Sequence, residues 1–215
     1  MALTLGIDTA TDVCTVALVE GDTTLFEAAI AVPRAHGARL APLIGQAFEH
    51  TGRDMDDLGL VAVSVGPGSY TGLRIGMSTA KGLCLSTGAA IVAVPTLLAL
   101  AGGALGTVAV VLPSRRGEVY ASVVADGAEA EPAGAFAVAD AEDWLPDALD
   151  AIGGPGAPRL DGVRPEVPRL DLSTSGASVA RLGRAAAEDR GPDDAASLEP
   201  VYLKPVAASQ PRGIF

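Results

Sequence analysis

Three short runs rich in apolar and β-branched residues, 3–9, 13–20 and 23–32, follow one another before any helical periodicity begins. Ala10-Thr11-Asp12 and Gly21-Asp22 separate them, so the chain opens as a hairpin with a third strand added. A doubly wound nucleotide fold alternates strand and helix from its start, so this opening points to a different α/β plan. The pattern then restarts. After the glycine-rich stretch 101–106 come further strand-like runs at 108–112, 118–124 and 136–138, again ahead of a helix. Two halves that each begin with strands read as a duplicated α/β unit. Residues 1–104 form the first lobe, and residues 105–215 form a smaller, more variable second lobe whose final tail packs back on the first.

Between these strands the apolar spacing changes. Leu40, Leu43, Ile44, Ala47 and Phe48 recur at intervals of three and four within residues 38–50, the stripe of an amphipathic helix. Pro42 lies inside that stripe, so the helix is expected to start near Ala41 or to bend there. Residues 60–65 read as a buried strand, 73–87 as a second helix, 91–94 as a strand and 95–101 as a third helix with Pro95 near its start. An acidic helix is expected over 140–149, opened by an aspartate cap. Residues 155–168 hold four prolines and read as loop, and 178–189 as the last helix.

The turn Gly66-Pro67-Gly68-Ser69-Tyr70-Thr71-Gly72 joins the 60–65 strand to the second helix. It is followed by Leu73 and Arg74 instead of Lys-Ser/Thr, so it is not a P-loop, and Thr71 stands where a dinucleotide fingerprint needs its third glycine. Two readings remain: free N–H groups at the helix start that favour an anion, or a tight turn capped by Ser69 or Thr71. Beyond the turn, Gly72, Gly76, Ala80, Cys84 and Gly88 recur at every fourth position and so line one ridge of the helix. The interior glycines Gly76 and Gly82 each give up about 0.8–1 kcal/mol of helix propensity. A bare ridge lets another backbone approach closely, and that backbone belongs either to this chain or to another protein.

Groups that do chemistry are sparse. The two histidines, His36 and His50, have no spacing that puts them on one helical face, and Cys14 and Cys84 stand far apart without a CxxC, so both read as small buried hydrophobes. The formal net charge of −11 disfavours autonomous nucleic-acid binding. Asp8, at the end of the first strand, is the best isolated acidic candidate: it either holds magnesium through water or, with Asp12, stabilises its own turn. Gly153-Gly154-Pro155-Gly156 follows an apolar pair and would let a backbone approach an adenine. Arg115 and Arg116 sit in a turn between strands, where they meet phosphate or carboxylates or else are simply solvated. The first residues lack a basic leader, and no apolar run is long enough to span a bilayer, so a cytoplasmic protein without membrane association is expected.

Several of these stretches occur in a recognisable order. Leu5-Gly6-Ile7-Asp8-Thr9-Ala10-Thr11, His36 with Leu40 and Pro42, the run from Gly66 to Gly76, Arg115 with Gly117-Glu118-Val119-Tyr120, and Pro200-Val201-Tyr202-Leu203 together resemble the TsaB (YeaZ) family of tRNA threonylcarbamoyladenosine biosynthesis. The resemblance implies an α/β fold of two related lobes of the actin-like ATPase (ASKHA, ribonuclease H-like) type. It implies a scaffold with no catalytic residue and no metal of its own, a relative of the transferase subunit TsaD. TsaD-like proteins bind metal through a His-x3-His pair, which this sequence lacks. The implied partners are TsaD in a heterodimer and the ATPase TsaE, with self-pairing when TsaD is missing and tRNA met only through the complex. The implied interface uses Leu40, Leu43, Ile44 and Ala47 on one helix and Gly72, Gly76, Met77, Ala80 and Cys84 on the next. A nucleotide, ATP or ADP within the complex, would meet Asp8, Thr9, Thr11, Gly153 and Gly154. The sequence departs from the family at Pro113, where an aspartate is usual, and at Tyr70, where phenylalanine is common. An ATPase or a peptidase of the same superfamily is the alternative.

Overall fold

The computed structural model describes residues 2–31 and 36–204. The expected third strand ends within them at Ile30, and Val32 lies outside the described residues. The first sheet has the order β3-β2-β1-β4-β5, built from β1 (Leu3–Asp8), β2 (Cys14–Glu20), β3 (Thr23–Ile30), β4 (Leu58–Gly66) and β5 (Ala90–Pro95). β1 to β3 form the antiparallel meander that the opening runs predict, while β4 and β5 continue parallel to β1.

Strand alternation sorts the residues of this sheet into two faces. Leu5, Ile7, Val16, Leu18, Val61 and Val63 join α1 (His36–Thr51) and α2 (Tyr70–Thr87) in one core. Ala17, Val19, Ala62 and Val94 face the opposite way, onto α5 (Gly176–Arg190). The α5 contact is close because its partners are small: a Cβ on Gly6 would lie 2.0 Å from the Gly176 carbonyl oxygen, and a Cβ on Gly176 would lie 2.6 Å from the Ala17 nitrogen.

The second sheet has the order β10-β9-β6-β7-β8, from β6 (Thr107–Pro113), β7 (Glu118–Ala125), β8 (Ala128–Ala137), β9 (Ala151–Gly153) and β10 (Arg169–Leu170). Its first three strands are again an antiparallel meander, with β9 parallel to β6 and β10 parallel to β9. The two sheets therefore repeat one topology, as the two strand-first openings imply. The α3 helix (Thr96–Ala101) lies between them: Leu97, Leu100 and Ala101 pack on the second sheet, and Ala99 packs with Val179 of α5.

Three expectations are corrected. The second lobe does not run to the end of the chain, because α5 packs on the first sheet and the segment after it bonds to β5 and β4, so the first lobe comprises residues 2–31 and 36–101 together with 176–204. The acidic helix over 140–149 shrinks to α4 (Ala141–Trp144), with Leu145 already extended before Pro146. Proline disfavours the helical region for the residue before it. The α1 helix starts at His36, well before Ala41, and carries Pro42 in its interior on the exposed side. Ala38, one turn earlier, is exposed as well, so the lost hydrogen bond lies on the side of the helix away from the core.

Candidate functional site

The glycine-rich turn and the first β-hairpin lock together. Gly66 ends β4, Ser69 caps α2 by accepting from the Gly72 N–H at 3.2 Å, and the Ser69 N–H donates to the Ala10 carbonyl at 2.7 Å. The small-residue ridge of α2 packs inward against this hairpin. A Cβ on Gly72 would stand 2.0 Å from the Thr9 carbonyl oxygen, and one on Gly76 would stand 2.3 Å from Thr9 Oγ1. Met77, Ala80 and Cys84 continue the ridge into the core, where Leu40, Leu43, Ile44 and Ala47 meet them from α1. These side chains are buried within the chain itself, so the expectation that they touch a partner is corrected. The periodicity that marked them is that of a core stripe.

What the two helices offer outward is the opposite face. On α1 it carries Ala38, Ala41, Pro42 and Gly45, and on α2 Ser78, Gly82 and Leu85. Leu85 is 90% exposed. The helices lie side by side, since a Cβ on Gly37 would come 3.7 Å from Ile75 Cδ1. Small residues surround one exposed leucine on this face, and the charged Glu49 of α1 and Arg74 and Lys81 of α2 stand among them.

Between the lobes runs a cleft of two adjoining cavities, of about 530 and 460 Å³, which share Thr11, Val13 and Pro155. Gly68, Ser69 and Thr11 line the wall from the first lobe, and Leu112, Arg115, Tyr120 and Gly154 line the other. Of the residues expected to meet a nucleotide, only Thr11 and Gly154 reach it. Gly153 packs under Leu172, and a Cβ at Gly154 would meet the Val111 carbonyl oxygen at 2.6 Å, so these glycines make room for the chain's own atoms. Thr9 is tied to α2 through a hydrogen bond from its hydroxyl to the Gly72 carbonyl at 2.8 Å.

Asp8 is fully buried and occupied. Its Oδ2 accepts from Ser64 Oγ at 2.7 Å and its Oδ1 from the Ala10 N–H at 2.8 Å. Burial raises its pKa above the ordinary carboxylate value, opposed by those two hydrogen bonds and by the nearby His36. Of the two alternatives left open for Asp8, the turn-stabilising role is the one its contacts display. His36 acts alongside it: Nε2 donates to the Thr11 carbonyl at 2.9 Å, pinning the start of α1 to the first hairpin. Both cysteines are buried, and burial pushes the Cys14 thiol up to about 11, which leaves it inert at neutral pH. Among the described residues no group of three or more His, Cys, Asp or Glu is placed to hold a metal, and no helix is long and apolar enough to cross a membrane.

The sequence reading missed Arg159. Its Nη1 donates to the carbonyls of Ser114, Arg115 and Glu118 at 3.0, 2.7 and 2.7 Å, and so holds the hairpin between β6 and β7 that forms the far wall of the cleft. An arginine in a proline-rich loop gives no signal of such a role, because its acceptors are backbone atoms remote in sequence.

Comparison with known proteins places the fold. A family model described as TsaD, tRNA N6-adenosine threonylcarbamoyltransferase, matches residues 30–212. The chain is 36% identical over 121 residues to the tRNA threonylcarbamoyladenosine biosynthesis protein TsaB of Escherichia coli, covering 54% of this chain and 52% of that protein. It is 36% identical over 152 residues to an uncharacterized protein of Mycobacterium tuberculosis, covering 65% of this chain and 72% of the other. The chain thus spans about half the length of the TsaB relatives it matches. A crystal structure of a Pseudomonas aeruginosa protein, described as similar to the peptidase YeaZ, superposes with a TM-score of 0.83 at 26% identity, over 95% of this chain and 100% of that one. With the duplicated five-stranded sheets, these matches establish the two-lobed actin-like fold, and the chain belongs to the tRNA N6-adenosine threonylcarbamoyltransferase family, on its TsaB (YeaZ) branch.

Proposed function

We propose that this chain is a non-catalytic subunit that binds and stabilises a TsaD-type transferase, and so supports N6-threonylcarbamoylation of the adenosine beside the anticodon in tRNA. The observation that carries this reading is the outward face of α1 and α2, where small residues surround exposed Leu85, together with a fully buried strand-end carboxylate whose oxygens both accept hydrogen bonds from within the chain. The first offers a surface on which another helix pair can lie closely. The second keeps Asp8 fully buried and outside the lining of the cleft. In this reading tRNA is held mainly by the partner, in keeping with the net charge of −11. ATP or ADP enters with the assembled complex, TsaE joins it, and the same outer face allows self-pairing when the transferase subunit is missing.

The rival reading is an ATPase or peptidase. Turnover of ATP and of peptides by the purified chain separates the two. Robust rates that vanish on Asp8→Ala would overturn the scaffold reading. Negligible rates, together with stable co-purification of a TsaD-type subunit, would support it.

A further inference from the structure

The segment after α5 grips both lobes. The Asp193 N–H donates to the Ile91 carbonyl of β5 at 2.9 Å, and its carboxylate accepts from the Ala93 N–H at 2.7 Å. Further on, the Val201 N–H donates to the Val65 carbonyl near the end of β4 at 2.7 Å, and Tyr202 lies against Tyr70 at the start of α2, ring centroids 5.0 Å apart. Lys204 then leaves the first lobe: its Nζ stands 2.5 Å from Glu118 Oε2, on the first residue of β7. Among the described residues, the other salt bridges each stay within one lobe.

The two points that this strap joins flank the cleft. Tyr70 follows Ser69 on one wall, while the Glu118 carbonyl accepts from the Ser114 N–H on the other. We propose that the strap is a latch, in which the Lys204–Glu118 pair holds the lobes at their closed separation and its release opens the cleft.

The pair is only partly exposed, at 24% and 32% of the two side chains. Glu118 Oε2 is itself buried, and among the described residues it has no hydrogen-bonding partner beyond this ion pair. Removing Lys204 therefore takes its cation from a partly buried carboxylate, a larger loss than that of a fully exposed pair. The nearest relief is movement of the β6–β7 hairpin outward into water, which widens the cleft.

Spin labels at Glu49→Cys on α1 and Asp143→Cys on α4, both exposed, report the lobe separation by pulsed dipolar spectroscopy while the native cysteines stay buried. Lys204→Glu and Glu118→Lys are each expected to shift the distance distribution to longer values. Combining the two reversals should return it to the wild-type position. Lys204→Met keeps the aliphatic stem and is expected to shift in the same direction, which preserves the test if a reversal impairs folding. Distributions that superimpose on wild type in the single variants overturn the latch, as does a double reversal that stays as displaced as the singles.

Discussion

Thr9 closes over Gly72: its hydroxyl donates to the Gly72 carbonyl at 2.8 Å, and its own carbonyl oxygen occupies the space where a Gly72 side chain would begin. This contact explains a helix that gives up propensity at successive turns. Gly72 admits the backbone of Thr9 and Gly76 its hydroxyl, and what these two glycines lose in helix stability is offset by packing and by a buried hydrogen bond.

Gly72→Ala and Gly76→Ala are accordingly expected to destabilise the chain by about 1–3 kcal/mol, since overpacking against a hairpin with nowhere to move outweighs the gain in propensity. Gly82→Ala is the control. It sits on the same helix in open space and should stabilise by up to about 1 kcal/mol. Urea unfolding of the three variants reads the contrast, and equal effects at all three positions would contradict it.

The same logic separates the two faces of α1 and α2. Leu43→Ala, in the core, is expected to cost about 2–5 kcal/mol in stability. Gly82→Arg and Leu85→Arg, on the open face, should leave the unfolding midpoint close to wild type and abolish binding to a TsaD-type subunit, read by calorimetric titration. A variant pair that binds normally would move the interface elsewhere on the molecule.

Asp8 gives a pH prediction with a definite sign. A carboxyl whose folded pKa lies above its unfolded value binds more protons in the folded state between the two pKa values, so it makes stability fall as pH rises from the ordinary 3.8 through the raised folded pKa. Asn at this position keeps an acceptor for the Ala10 N–H and a polar partner for Ser64. The stability of Asp8→Asn relative to wild type should therefore rise across that window and level off above it. A difference that is flat with pH would contradict the raised pKa.

Arg159→Ala removes one guanidinium from three carbonyls. The expected loss is about 1–3 kcal/mol, with faster amide exchange concentrated in residues 113–120. Exchange that speeds up uniformly along the chain would mean that Arg159 supports the lobe as a whole and not this hairpin.

What was legible in the sequence follows from what is local. The β-branched runs and their turns mark the first meander and the first two strands of the second; the strand expected at 136–138 instead runs over Ala128–Ala137, where alanine, glutamate and glycine carry no β-branched signal. The stripe from Leu40 to Phe48 and the ridge from Gly72 to Cys84 were also legible as patterns. Their direction was not: periodicity says that one face of a helix is special, and only the position of Thr9 and of the sheet says that this face looks inward. The lobe assignment of α5 was hidden for a related reason, since its partners Gly6 and Ala17 lie at the other end of the chain. Asp8 was found by its place at the end of a strand, but its burial and its engagement with Ser64 depend on β4, which is remote in sequence. The acidic run on both sides of Pro146 reads as a long helix by composition, yet the single proline ends it at Trp144.

Depleting the chain in its own cell and measuring the nucleosides of tRNA by mass spectrometry tests most directly whether it supports a TsaD-type transferase. N6-threonylcarbamoyladenosine is expected to fall on depletion, to return with wild type and with Asp8→Asn, and not to return with the folded Gly82→Arg or Leu85→Arg chains. Unchanged modification after depletion, or full rescue by the two outer-face variants together with failure of Asp8→Asn, would contradict this role.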